Sequence, residues 1–243
     1  MRTGDPQDIP SGGACAIQLP LGPLGPKAAR AFVTRTMRTL NLPTDHIDAA
    51  ELSVSELGTN AYLHVGDRPA VPPEIWIWAR THPAPELAFS VFDASRTRLP
   101  NPSIQHPSML AEHGNGLGIV TALASDTNSH FTRSRLSGTP VPGKSVWFTQ
   151  ALPASWPAAE HPIPEAIAAT RLLVALRTRG INSDRHRDHT GLIAITAGKL
   201  TVWVDAKSYF WREGHDFTHR PLVDLHETVE AIISRVDASP SLR

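Results

Sequence analysis

Cysteine is all but missing from this chain of 243 residues. Its single thiol, Cys15, rules out an intrachain disulfide framework and any zinc site built from several cysteines. Net charge is missing too, because 23 basic residues balance 23 acidic ones. Nucleic-acid and anionic-membrane partners usually leave a net basic footprint, so the totals argue for neither, and only a local basic patch stays open. No run of eighteen apolar residues occurs, so no transmembrane helix is expected. The first twenty residues lack a basic segment followed by a long apolar run. No Sec-type signal is therefore expected, and the expected location is the cytoplasm. The pattern GxxxxGKS/T is also absent, and with it the P-loop class.

What is present is a hydrophobic content of 41%, enough for a core in one large domain or two modest ones. Proline and glycine divide the chain. Residues 1–14 are rich in Gly, Pro and Asp and read as disordered. Residues 15–152 read as one α/β domain, 153–164 as a proline-rich linker with four prolines, and 165–243 as a small α/β unit.

Within the first domain, Cys15 to Leu19 suggests a short edge strand. A helix is expected from Lys27 to about Leu40, with Ala28, Phe32, Met37 and Leu40 inward and Pro43 beyond its end. A second helix carries Glu51 to His64 (ELSVSELGTNAYLH). Ile47, Ala50, Val54, Leu57 and Ala61 step by three and four, an apolar stripe suited to packing on a sheet. Glu56 and Asn60 stand one turn apart and share a face. From spacing alone, that face is either a solvated side or the wall of a site.

Glu74 to Arg80 and Glu86 to Asp93 alternate with period two and read as an antiparallel hairpin that delivers Asp93 at its end. Ser95 to Ala111 is long, proline-rich and aperiodic, which in a compact domain suggests a lid or binding loop. It leads into Gly114, Gly116 and Gly118, immediately before the apolar run from Ile119 to Ala124. Glycines before a helix N-terminus let backbone amides approach phosphate, and the helix dipole favours the negative charge. No strand directly precedes these glycines, so the dinucleotide fingerprint does not apply. Alone, the loop is equally compatible with a flexible surface turn. Lys144 to Leu152 reads as the last strand. Lys144 itself lies near the phosphate region but reads first as a surface lysine at a strand start.

In the C-terminal unit, Glu165 to Thr178 reads as a helix closed by Gly180. Leu192 to Ala197 and Leu200 to Asp205 form a hairpin around Gly198 and Lys199, and Ser208 to Arg212 suggests a third strand. Leu222 to Val236 reads as a final helix with Asp224, Glu227 and Glu230 on its polar side. The run from Arg185 to His189 has too few ligands for zinc and reads as a solvated loop. Partner recognition or packing on the first domain is the expected role of this unit.

Taken in order, ELSVSELGTNAYLH, VFDASRTRLP, EHGNGLGIVTALAS and GKSVWFTQAL resemble the motifs of the GHKL ATPase superfamily, which includes gyrase B and the histidine kinases. More narrowly, residues 16–152 resemble the anti-sigma-factor serine/threonine kinases of the RsbW and SpoIIAB type. The resemblance implies a Bergerat ATP-binding fold, a two-layer sandwich of helices on a mostly antiparallel mixed sheet, with ATP and Mg²⁺ as cofactors. It implies Glu56 as the catalytic glutamate and Asn60 as the Mg²⁺ ligand. Asp93 would read the adenine, and Gly114, Gly116 and Gly118 would close over the phosphates beneath a lid from Ser95 to Ala111. It further implies phosphorylation of a STAS-type anti-anti-sigma partner, sequestration of a sigma factor and a possible homodimer, with no direct nucleic-acid or membrane contact. The superfamily has DxGxG where this chain has no glycine between Asp93 and Thr97. The alternative is therefore an ATP-binding regulatory module without phosphotransfer.

Overall fold

The structure, a computed structural model, describes residues 2–63, 71–96, 99–100, 116–157 and 162–238. The first part comprises β1 (Arg2–Thr3), a 3₁₀ turn (Pro6–Ser11), β2 (Ala14–Gln18), α1 (Leu24–Thr39), α2 (Thr44–Leu63), β3 (Glu74–Arg80), β4 (Glu86–Asp93), α3 (Gly116–Leu123), β5 (Asp126–Arg133) and β6 (Pro142–Ala151). The second comprises α4 (Glu165–Thr178), β7 (Ser183–Arg187), β8 (Ile193–Ala197), β9 (Leu200–Val204), β10 (Ser208–Glu213), β11 (Asp216–Pro221) and α5 (Leu225–Ala238). The strands form a six-stranded sheet, β1-β2-β3-β4-β6-β5, and a five-stranded sheet, β11-β10-β9-β8-β7. Every pairing among the described residues is antiparallel. The expected α/β sandwich, helices layered on an antiparallel sheet, is what forms.

Alternation explains the first sheet. Ile75, Ile77, Leu87, Phe89, Val91, Val146 and Phe148 share one face, where α1 and α2 supply Phe32, Val33, Met37, Val54 and Leu57. Phe89 and Phe148 stack across β4 and β6 with centroids 4.7 Å apart. The stripe read from the sequence (Ile47, Ala50, Val54, Leu57, Ala61) is buried throughout. Gly58 serves the contact between the two helices, because a Cβ there would stand 3.3 Å from the Cα of Pro26. Arg30 ties α1 to α2 further by donating to the Ser55 hydroxyl at 2.6 Å.

The reverse face is buried as well, which the sequence did not announce. Trp76, Trp78, Ala88 and Phe92 point there and form a smaller cluster with Leu136. Glu74, fully buried, folds the segment after β5 over this face. Its carboxylate accepts from the Trp76 indole at 2.9 Å and from the amides of Arg135 and Leu136 at 2.7 and 3.0 Å. The rest of the cover is α5.

Helix α5 has two faces with different tasks. Val229, Ile232 and Ile233 enter the second core with Leu172, Leu176, Ile195, Val202 and Trp211. Asp224, Glu227, Glu230 and Asp237, at spacings of three and seven, face the first sheet. Asp224 accepts from the backbone and hydroxyl of Thr81 at 2.8 and 3.0 Å. Glu230 accepts from Thr132, Arg179 and Arg135 at 2.7, 2.8 and 3.0 Å, and His130 lies 3.1 Å away. Asp237 pairs with Arg133 at 2.8 Å and Arg96 at 3.6 Å. The acidic side of the final helix is thus an interface rather than a solvated face.

Several expectations need correcting. Residues 2–14 are ordered, because Ile9 is an apolar anchor, 1% exposed and part of the first core, and Asp5 caps the turn by accepting from the Gln7 amide. β2 is not an edge, since β1 pairs with it. Helix α1 begins at Leu24, one turn earlier than expected, and α5 begins three residues later, at Leu225. Arg185 to Arg187 lie in the edge strand β7 rather than a loop, although they are exposed as expected. Among the described residues no cluster of metal-ligating side chains occurs, and no helix is long and apolar enough to cross a membrane.

Candidate functional site

The site is assembled on the helix-facing side of the first sheet. Helix α2 buries its apolar stripe there and leaves Glu56 and Asn60 half-buried along its flank. Against that flank comes the N-terminus of α3. Gly116 is its first residue, and a Cβ at that position would stand 2.5 Å from Oε2 of Glu56 and 3.4 Å from its Cβ. A side chain there would displace the Glu56 carboxylate, so glycine lets the two stand together. It brings the α3 N-terminus directly beside a carboxylate. A helix N-terminus carries partial positive charge, so the Glu56 carboxylate stands at the end of α3 that favours an anion.

Strands β4 and β6 supply the second half. Asp93 follows Leu87, Phe89 and Val91 in alternation, so it lies on the same side of the sheet as α2. Its register partner is Lys144, and the ammonium lies 3.4 Å from Asp93 Oδ1. Both side chains are almost wholly buried, at 5% and 7% exposure. The same carboxylate caps the turn beyond β4, accepting from the amide of Ser95 at 2.8 Å. Gly143 permits this closeness, because a Cβ there would collide with the Asp93 carbonyl oxygen at 2.2 Å and the Phe92 ring at 2.5 Å.

The residues expected from the sequence are distributed as follows. Glu56 and Gly116 meet at the α2–α3 junction, and Asn60 stands one turn further along α2. Asp93 stands on the same side of the sheet at the end of β4. Gly118 lies two residues into α3, where a Cβ would meet nothing within 4 Å, so no close approach depends on it. Gly114 lies outside the described residues, as do His64 and most of the Ser95 to Ala111 segment, of which 95, 96, 99 and 100 are described. Lys144, read first as a surface lysine, is instead the buried partner of Asp93. Its signal in the sequence was positional: the last strand of the domain must pair with the strand that ends in Asp93.

The donor set fits the groups that the motifs imply. The amides at the start of α3 suit phosphate oxygens. One amide oxygen from Asn60 suits Mg²⁺, which usually takes one or two protein ligands and completes its shell with water and phosphate, and leaves the Glu56 carboxylate for a hydroxyl. Asp93 and Lys144 together present an acceptor and a donor, suited to the polar edge of a heterocyclic base. Among the described residues the protein offers no larger ligand cluster that would hold a metal without a phosphate partner. No protein-family model matches the chain, and no curated protein matches it either.

Proposed function

We propose that this protein binds ATP with Mg²⁺ on the helix-facing side of its first sheet and acts as a serine/threonine protein kinase of the anti-sigma regulatory kind. The observation that carries the reading is the fit of Gly116 against Glu56, which sets a carboxylate beside the amides that begin α3. ATP supplies the transferable phosphoryl group, and Mg²⁺ offsets the charge of its phosphates. Glu56 takes the proton of, or orients, the attacking hydroxyl. Asn60, one turn on, offers its amide oxygen to the metal, and the α3 amides hold phosphate oxygens. Asp93 and Lys144 meet the base.

The substrate of such a kinase is a serine or threonine on a STAS-type anti-anti-sigma partner. Added phosphate brings roughly −1.5 to −2 charges, enough to break a protein interface. The kinase then sequesters its sigma factor while that partner is phosphorylated.

A second reading, nucleotide binding without transfer, is favoured by one observation. The Asp93 carboxylate is already engaged by Lys144, and no glycine follows it to let the backbone approach. Both readings are separated by incubating the protein with Mg²⁺, γ-labelled ATP and STAS-domain proteins, beside Glu56→Gln and Asn60→Ala. Label transfer that disappears in Glu56→Gln supports the kinase. Saturable ATP binding without transfer supports the module, and absence of any ATP binding sinks both.

A further inference from the structure

The reverse face of the first sheet is not completely filled by α5. Between them lies an open cleft of about 280 Å³. Its floor is Ala88 on β4, flanked by Trp78 on β3 and Trp147 on β6, and its roof is Glu227, Ala231 and Ser234 on α5. The register explains the hollow. Trp78 lies opposite Ala88, and Trp147 lies opposite Ser90, so two indoles on the outer strands stand over small residues on the middle one. The roof has small side chains at Ala231 and Ser234 for the same space.

The polar groups around the cleft differ in how far they are committed. Glu230 is held by two guanidinium groups and a hydroxyl. Arg235 is engaged by Glu213 at 2.5 Å and by the Ala231 carbonyl at 2.9 Å. Arg80 is bound at 2.7 Å by Glu86 and lies near Asp126 at 3.4 Å. Glu227 is different. Its two contacts, from the Trp78 indole at 3.3 Å and from Arg80 at 3.5 Å, are both long, whereas a carboxylate has about four acceptor positions. Its side chain is 18% exposed. The Arg80 guanidinium lies 5.5 Å from the Trp147 ring centroid and that of Arg135 5.3 Å from the Trp78 centroid, so each indole already takes one planar cation from the protein, and a ligand would have to share or displace it.

We propose that the cleft between the first sheet and α5 is a binding site for a small organic amine. Its flat apolar body lies against Trp78 and Trp147, and its cationic nitrogen donates to Glu227. Aromatic walls with one well-placed polar group are the usual make-up of a small-molecule site, and a cation gains from both the indole faces and the carboxylate. The cleft opens on the opposite side of the sheet from Glu56, so binding there neither needs nor tests the nucleotide site.

The probe is tryptamine, an indole bearing a primary ammonium, titrated into the full chain with its tryptophan side chains labelled for NMR. Indole-3-propionate, which carries a carboxylate in place of the ammonium, is the charge control. The expected result is a saturable shift of the Trp78 and Trp147 indole N–H signals with tryptamine and none with indole-3-propionate. Glu227→Gln should weaken tryptamine about tenfold or more, the loss expected for one charge-assisted hydrogen bond. Ala231→Phe, which fills the cleft from its roof, should abolish the shift. Folding of either variant is checked by its melting curve, and the two disrupt the site by independent means. No saturable shift, equal binding of indole-3-propionate, or unchanged tryptamine affinity in a folded variant of either kind overturns the proposal.

Discussion

Lys144 and Asp93 face each other across the ends of β6 and β4, ammonium to carboxylate at 3.4 Å, with both side chains almost sealed from solvent. A buried pair of this kind is weak evidence of stability in itself, but removing one member strands the other. Lys144→Met is expected to cost about 3–5 kcal/mol by leaving a buried carboxylate uncompensated. The double change Lys144→Met with Asp93→Asn should recover much of that loss. Urea unfolding of the two single variants and the double variant gives the coupling directly, and a double loss equal to the sum of the two single losses would show that no coupling exists.

Gly116→Ala separates stability from the site. The added methyl meets the flexible end of Glu56 first, so the carboxylate can swing away at a side-chain rotamer cost of about 1 kcal/mol. The melting temperature should therefore hardly move. Nucleotide binding should fall sharply, because the displaced carboxylate and the α3 amides no longer meet. Calorimetric titration with MgATP against the melting curve of the same sample tests both halves.

Glu230 is the hub that joins α5 to β5 and α4. Arg179 and Arg135 lie within 3.0 Å of it and also stack over Trp76 at 4.8 and 4.6 Å. Glu230→Leu would leave two guanidinium groups buried without their carboxylate, and a loss of about 3–5 kcal/mol is expected from such a broken pair. Denaturant unfolding would register it as a lowered midpoint, and an unchanged midpoint would remove Glu230 from the role of hub.

Acid should loosen the same interface by two routes. Burial, followed by the neighbouring Arg135, pushes the His226 imidazole down to about 3. Arg135 faces its Nδ1 at 3.1 Å, so the neutral ring is the one that fits. The unfolded chain, with an imidazole near 6.5, binds more protons than the folded one between about pH 6.5 and 3, so stability falls as pH drops through that window. Glu230 acts lower. Burial opposes its charge, yet Arg179 and the hydrogen bond from His130 hold it well below the ordinary glutamate range. Its contribution is complete above the unfolded value and is lost as pH falls through the folded one. Asp224, raised chiefly by burial, works in the opposite direction over the acid range. Melting temperatures should therefore decline from pH 7 to 4, and His226→Leu should flatten the upper part of that decline.

A chain cut after residue 157 should be insoluble or aggregate on purification. It would uncover Trp78, Ala88 and the polar partners on β5 that α5 now satisfies. Static light scattering of the truncated and full chains at equal concentration tests this, and a monodisperse truncated domain would contradict it.

The parts of the fold that were legible in the sequence are those where one residue class marks one face. The hairpin from Glu74 to Asp93 and the stripe on α2 could be read because apolar residues recur at the period of the element. β5 could not, since its inward side chains, His130 and Thr132, are polar partners of Glu230 and not an apolar row. β7 and β11 are edge strands rich in Arg, His and Thr, which read as loop. The acidic side of α5 read as solvent-facing because burial of carboxylates depends on arginines distant in sequence. At the candidate site, spacing placed Glu56 and Asn60 on one face of α2. It could not show that Gly116 would press against Glu56, nor that Lys144 would close on Asp93, because both depend on how separate elements meet.

Helix α5 has one further consequence. Its apolar side belongs to the second core and its acidic side to the contacts of the first sheet, so neither half of the chain can release it without loss to the other. The proline-rich stretch at 153–164 is a boundary in composition but not in cooperativity. The two halves should melt in a single transition, as one folding unit with α5 as its keystone.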